Sequence, residues 1–328
     1  MQPAAELILV GGLGFIGRNI LDLLSRETRF ADLAPVVIDN MSNAAPGHAS
    51  VRAPLCQSGY QTETAAAFLS ARQRVSGARI FVFLAGETRV ADSLERPLDF
   101  VEANVTDPAR FVTETLVPGD SFILVSTAGA LFDGRFEIRP DSPYCPKNFY
   151  GATKAAEELI LQKLVEQRGG IFRTVRLTNV FGRFSEKKKS AVHAFIRASI
   201  AGKSVVINGD GQQSRDFVFA SDVAFGIVAL AHQMRAGQHT EPVHIFGAGV
   251  TTTLMEVVAA IEDAAGCALA YEKVPAQALL ATEPRDVIVQ NGAVSALLQG
   301  HITSLADGIW ATYTYYSELA QIDTSGDS

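Results

Sequence analysis

Leu7-Ile-Leu-Val10, then Gly11-Gly-Leu-Gly14-Phe-Ile-Gly17, then Arg18-Asn-Ile-Leu-Asp-Leu-Leu24 is the stretch that decides the fold. A short apolar run, a cluster of glycines and an apolar-rich segment in succession predict strand, glycine turn and helix. In that unit Gly11 and Gly14 let the backbone turn tightly and approach a pyrophosphate at the helix N-terminus, and Gly17 lets helix and strand pack closely. Phe15 and Ile16 belong to the same cofactor-binding turn. Val36-Val-Ile-Asp39 follows as a second buried strand ending in a carboxylate about twenty residues on. There Asp39, with Asn40 beside it, accepts hydrogen bonds from an adenosine ribose and repels a 2'-phosphate, so NAD is expected in preference to NADP.

The 328 residues leave room for two domains, or for one large α/β unit with an appended lobe. Apolar residues make up 48% and charged residues 19%, a globular composition that excludes a disordered chain. A net charge of -7 argues against a nucleic-acid binder without forbidding an anionic ligand. Cys56, Cys145 and Cys267 lie far apart, with no spacing that suggests a metal site or a disulfide framework, which fits a reducing compartment. Cys145 is expected to be a buried structural thiol. No apolar run approaches the roughly 18 residues of a membrane span, and the start lacks the segments of a signal peptide, so a cytoplasmic protein without a membrane partner is expected.

Pro146-Lys-Asn-Phe-Tyr150-Gly-Ala-Thr-Lys154-Ala-Ala-Glu-Glu158 carries the chemistry. Ala155, Ala156, Glu157, Glu158 and Leu159 are strong helix formers, so a helix is expected from about Tyr150, and residues four apart share a face. Tyr150 and Lys154 then point the same way. An ammonium beside a phenol favours the phenolate and lowers its pKa from about 10 toward the range of a general base. The spacing alone is common on helix surfaces. The glycine turn and Asp39 give it weight.

Gly-x-x-Gly-x-x-Gly, Asp39 and Tyr150-x-x-x-Lys154 together resemble the extended short-chain dehydrogenase/reductase family, in its NAD-dependent nucleotide-sugar epimerase/dehydratase branch, over almost the whole chain. The resemblance implies an α/β fold: a Rossmann-like doubly wound parallel sheet over 1–180 and a smaller C-terminal α/β substrate-binding lobe over 181–328. A segment at about 216–248 is expected to return to the first domain. Arg79 to Leu84 becomes a fourth strand, and Leu84, Ala85, Gly86 and Asn104 join the cofactor-binding set with Tyr150 and Lys154. Glu87 to Pro97 resembles the family's substrate-side loop, with Thr88 a substrate contact. Arg89 there either meets a phosphate or carboxylate or is a solvated surface arginine. Ser121 to Thr127 is a fifth strand, whose carboxyl end lies where such sheets bind ligands. By resemblance Thr127 bonds both a sugar oxygen and the tyrosine, while Ser126 is a strand-end turn residue. Asn179 corresponds to a contact with the sugar-nucleotide phosphates. Arg215 corresponds to the arginine that clamps the diphosphate, a task suited to a guanidinium's fixed fork of donors. Asp216 then orients the local backbone or Arg215, and Arg285 loosely matches a further phosphate-binding arginine. Lys187 to Lys189 are expected to be solvated, Val223 to Met234 a core helix, His244 structural, and the tail from Gln321 frayed.

The chain departs from the family in two places. The adenine-binding carboxylate expected after the third strand is missing from Cys56-Gln-Ser-Gly-Tyr60. Sugar 4,6-dehydratases carry an Asp-Glu pair after the threonine, because eliminating water needs its own acid and base, and here the pair is Ala128-Gly129. The expected activity is therefore an NAD-dependent nucleoside-diphosphate-sugar 4-epimerase, with Thr127, Tyr150 and Lys154 catalytic. The alternatives are an NAD(H)-dependent 4-ketoreductase, and behind it a 4,6-dehydratase or a catalytically silent NAD-binding regulator. A homodimer is expected through helices at about 98–116 and 150–167, where Leu159, Ile160, Leu164 and Val165 exceed one apolar stripe.

Overall fold

The computed structural model describes residues 5–44, 53–57, 62–71, 79–134, 136–275, 284–290 and 292–325. The first apolar run lies in β1 (Ala5–Val10), buried along its length, and the glycine turn leads into α1 (Phe15–Arg26). Then come β2 (Leu33–Ile38), β3 (Leu55–Cys56), α2 (Thr62–Ala71) and β4 (Ile80–Phe83). After α3 (Val90–Glu95), the helical stretch expected at 98–116 runs as α4 (Pro97–Val101), a π-helical turn Glu102–Thr106 and α5 (Asp107–Thr115). After β5 (Ser121–Thr127) and a loop, α6 (Phe149–Gln167) starts at Asn148, whose side chain accepts a hydrogen bond from the Gly151 amide at 2.8 Å.

The chain continues through β6 (Ile171–Leu177), β7 (Asn179–Phe181), α7 (Ala191–Ile200), β8 (Val205–Asn208), β9 (Ser214–Phe219) and α8 (Ala220–Arg235). It ends with β10 (Val243–Phe246), β11 (Thr251–Thr253), α9 (Leu254–Ala265), β12 (Tyr271–Val274) and α10 (Leu305–Ser325). The tail expected to fray from Gln321 continues as helix to Ser325, because α10 buries Ile309 and Tyr316 in the core shared with α7 and α9.

Seven parallel strands form the main sheet in the order β10-β6-β5-β4-β1-β2-β3. Alternate residues serve opposite faces, as strand geometry requires. Leu7, Leu9, Ile80, Val82 and Ile123 pack toward α1 and α8. Ile8, Val10, Phe81, Phe83 and Phe122 pack toward α5 and α6. Strand order reverses between β1 and β4, so a crevice opens at their carboxyl ends. Two small sheets, β11-β9-β7 and β12-β8, flank a separate core around Phe195, Ile207, Val257 and Ile309. Among the described residues no helix is long and apolar enough to cross a membrane.

Candidate active site

Gly11 has a φ of +78°, and a Cβ there would stand 2.9 Å from the Ala85 amide nitrogen. Only glycine lets the end of β1 lie this close to the end of β4. The crevice is lined by Gly11, Gly14, Asp39, Asn40, Ala85 and Gly86, among others. Asp39 is 6% exposed, and its carboxylate accepts the Leu13 amide at 2.8 Å and the Met41 amide at 2.7 Å. One carboxylate thus ties the loop after β2 to the glycine turn. Asn40 is exposed, its oxygen taken by the Ser42 amide and hydroxyl at 3.0 and 2.6 Å. Phe15 and Ile16 open α1, and Leu84 packs under the crevice floor. A close backbone turn, a helix N-terminus and a carboxylate on the next strand suit a dinucleotide. The segment read for an adenine carboxylate is only partly described: Cys56 is buried and Gln57 exposed, and 58–60 lie outside the described residues.

Asn104 stands in the π turn and is wholly buried. Its side chain accepts the Glu87 amide at 2.8 Å and donates to the Glu87 carbonyl at 3.0 Å and to Thr153 Oγ1 at 3.1 Å. With its amide so engaged, Asn104 shapes the loop that lines the crevice and fastens it to α6. Thr88 is exposed on that loop, and Arg89 is an exposed partner of Asp92 at 2.8 Å, in line with the solvated alternative.

The strand end of β5 and the first turns of α6 bring Thr127, Tyr150 and Lys154 together. Thr127 Oγ1 accepts the Gly129 and Ala130 amides at 3.2 and 3.3 Å, and its hydroxyl favours the ionised form of the Tyr150 phenol. Phe100 packs edge-on to the tyrosine ring, 6.3 Å between centroids. Lys154 is buried, donates to the Val125 carbonyl at 3.2 Å and is ion-paired with Glu157. The expectation of a lowered tyrosine pKa is corrected here. Burial raises the phenol above its ordinary value, and the Glu157 charge raises it further, against the lowering by Lys154 and the Thr127 hydrogen bond. Burial would lower Lys154, yet Glu157, Tyr150 and Glu158 hold its ammonium above the usual lysine range. Glu158 instead closes on Arg176 at 2.8 Å and accepts the Tyr144 hydroxyl at 2.7 Å, which fixes the loop leading into α6.

On the lobe side, Asn179 donates to the Asp216 carbonyl at 3.3 Å, and Arg215 on β9 donates to the Ser214 and Arg285 carbonyls. Arg215 and Arg285 are thus adjacent. The Arg285 guanidinium lies on the surface, 3.2 Å from Asp210. Asp216 organises backbone, accepting the Ala248 and Gly249 amides at 2.8 Å each and the Thr178 hydroxyl at 3.1 Å. His244 is buried with Nδ1 2.9 Å from Ser295 Oγ, and Cys145 is half-buried.

Of the lysines expected to be solvated, Lys187 and Lys189 are exposed, and Lys188 is the correction. Lys187 donates to the Ser42 carbonyl at 2.9 Å, and burial lowers Lys188, whose ammonium stands 5.8 Å from the centre of the Phe15 ring. Nearby, Asn19 of α1 donates to the Arg183 carbonyl at 3.0 Å, and Arg183 pairs with Asp22 at 2.8 Å. Loop 183–188 therefore crosses from β7 back onto α1 and the loop after β2. A triple-lysine run gives no hint of this, since the partners are backbone carbonyls and a ring distant in sequence. Sequence reasoning also missed Glu87, which lines the crevice, and Glu157, although its offset of three from Lys154 on a helix was a usable signal.

A family model described as the NAD dependent epimerase/dehydratase family matches residues 7–245. A putative UDP-glucose 4-epimerase of Methanocaldococcus jannaschii is 26% identical over 76% of this chain and 79% of its own length. A dTDP-glucose 4,6-dehydratase of Streptomyces antibioticus is 28% identical over 80% of this chain and 77% of its own. Among solved structures, the UDP-glucose 4-epimerase of Thermus thermophilus, in complex with NAD, has the same fold, with a TM-score of 0.78 at 24% identity over 95% of this chain and 98% of that one. With a match over most of its length and the glycine turn, Asp39 and the Tyr150–Lys154 pair in place, the chain belongs to the NAD dependent epimerase/dehydratase family of enzymes.

Proposed function

We propose that the protein is an NAD-dependent nucleoside-diphosphate-sugar 4-epimerase acting as a homodimer. The observation that carries this reading is the environment of Tyr150. A threonine hydroxyl and a buried lysine serve it, while the two residues after Thr127 are a buried alanine and a glycine that cannot move a proton. NAD, when bound, supplies the hydride acceptor and donor at carbon 4. Tyr150 takes the carbon 4 hydroxyl proton and returns it after the sugar has turned its other face. Thr127 holds the same oxygen and the phenol in one hydrogen-bonded line. Lys154 stabilises the phenolate through its positive charge. Arg215 of the lobe and Asn179 at its entrance hold the diphosphate, so that the sugar can rotate while its anchor stays fixed.

The runner-up is a 4-ketoreductase using the same three residues. A dehydratase would have to use another acid, and Glu87 in the crevice is a candidate for that role. Incubation with UDP-, GDP-, dTDP- and CDP-sugars, followed by mass and NMR, separates the three. A mixture of two isomers of unchanged mass without added NADH is expected. Stoichiometric NADH consumption with a 4-keto sugar would mean a reductase, and a product lighter by one water would mean a dehydratase.

A further inference from the structure

Tyr150, Lys154 and Glu157 stand at i, i+4 and i+7 of α6, along one face of the helix. The Lys154 ammonium lies between the other two, with the Glu157 carboxylate in direct ion-pair contact. Glu157 is 0% exposed, and its Oε1 has no hydrogen-bond partner among the described residues. A fully buried carboxylate held by one cation is a costly arrangement, and the cation is the one that serves the tyrosine. We propose that Glu157 is a positioning residue of the Tyr150–Lys154 pair, fixing the ammonium and setting by its own charge how readily the phenol releases its proton.

The argument is one of local electroneutrality. With Glu157 ionised, Lys154 already has a counter-ion, and a phenolate becomes a second anion on one cation. With Glu157 neutral, the phenolate is itself the counter-ion. Burial pushes Glu157 up to about 7, with Lys154 opposing and Glu158 reinforcing, so its charge changes within an ordinary assay range. Below that value Glu157 is protonated and the phenol ionises more readily. Above it, the new negative charge holds the phenolic proton on. Tyr150 therefore titrates with Glu157 already ionised, above the range of an isolated phenol.

The other charges around α6 are closed or exposed. Arg176 on β6 is held by Glu158, and β5 contributes no charged residue. Asp92, Asp99, Glu102 and Asp107, on α3, α4, the π turn and α5, are partnered by Arg89, Arg96 or Arg110. Glu95 and Glu114 are exposed, and on α6 itself Lys163 pairs with Glu166 at the surface.

The inference rests on the acid–base reading of Tyr150, but its test follows the phenol itself, in the full chain with no sugar present. The ultraviolet phenolate signal of wild type minus that of Tyr150→Phe isolates Tyr150 in a pH titration, and the same subtraction is made in a Glu157→Gln background. The Glu157→Gln midpoint is expected to fall by about one pH unit or more, with Glu157→Asp staying near wild type. An unchanged or higher midpoint overturns the proposal. If the wild-type phenolate forms only above the pH at which the fold melts, its appearance below that pH in Glu157→Gln is the supporting result, and its absence in both is the overturning one. Should Glu157→Gln fail to fold by circular dichroism, Glu157→Met is read in the same way. A chain that epimerises no sugar could still show the shift, so the two readings fail separately.

Discussion

Tyr150 is a harder phenol to ionise than its pairing with Lys154 alone predicts, because burial and Glu157 act against the lysine. Tyr150→Phe is expected to lower turnover by roughly two to three orders of magnitude, the contribution of a positioned acid/base, with NAD affinity little changed. Steady-state kinetics and calorimetry on the purified variant check both halves. Asp39 supports a prediction of its own. Its buried carboxylate is fixed by two backbone amides and cannot swing away from a 2'-phosphate, so NADP should bind more weakly than NAD, with Asp39→Asn narrowing the gap by calorimetry. At this scale the sequence was a good guide wherever a residue's partner is close along the chain, as for Tyr150 and Lys154. It was silent on the partners of Asn104 and Lys187, because Glu87, Thr153 and Ser42 come near only after folding.

Among the elements, α6 is placed with little tolerance. A Cβ at Gly151 would lie 2.0 Å from the Ala130 carbonyl oxygen, so the first turn of α6 rests directly on the loop that follows Thr127. Gly151→Ala should force the helix and loop apart and destabilise the fold by about 1–3 kcal/mol, measured by urea unfolding, and should lower activity by moving the phenol away from Thr127. The unit β1, glycine turn, α1 was legible because each part is set by local residue types. The π turn at Glu102–Thr106 was not, since one extra residue in a helical turn leaves no mark on periodicity that Asp107-Pro108 does not already blur. The last helix was hidden for a related reason. The polar residues after Gln321 look like a tail, and what keeps the helix in place is Ile309 and Tyr316, one or more turns earlier, in a core supplied by α7 and α9.

At the scale of the whole molecule, α4 and α6 expose Leu98, Val101, Leu159 and Ile160, at 78, 43, 54 and 39%. Val165 lies in the core and Leu164 packs against it, so these two are not available to a partner. A second copy applied through the four exposed side chains would cover them by twofold symmetry. Light scattering at micromolar concentration should give a dimer, and Leu98→Asp combined with Leu159→Asp a monomer of unchanged secondary structure. The parallel sheet and its crevice could be read from the chain, because strand, turn and helix recur in order along it. The path of loop 183–188 could not. That loop is pinned to α1 by Asn19 and Asp22, and Lys187 ties it to the Ser42 carbonyl at the rim of the crevice, so it braces that rim like a bar. A braced rim should slow the escape of a dinucleotide from the crevice. On the proposed 4-epimerase reading the cofactor is then a long-term tenant, serving many sugars in turn, since that reaction hands its hydride back each time. Removing the pins with Arg183→Ala and Lys187→Ala should shorten that tenancy, seen as NAD shed during gel filtration by the double variant and retained by the parent.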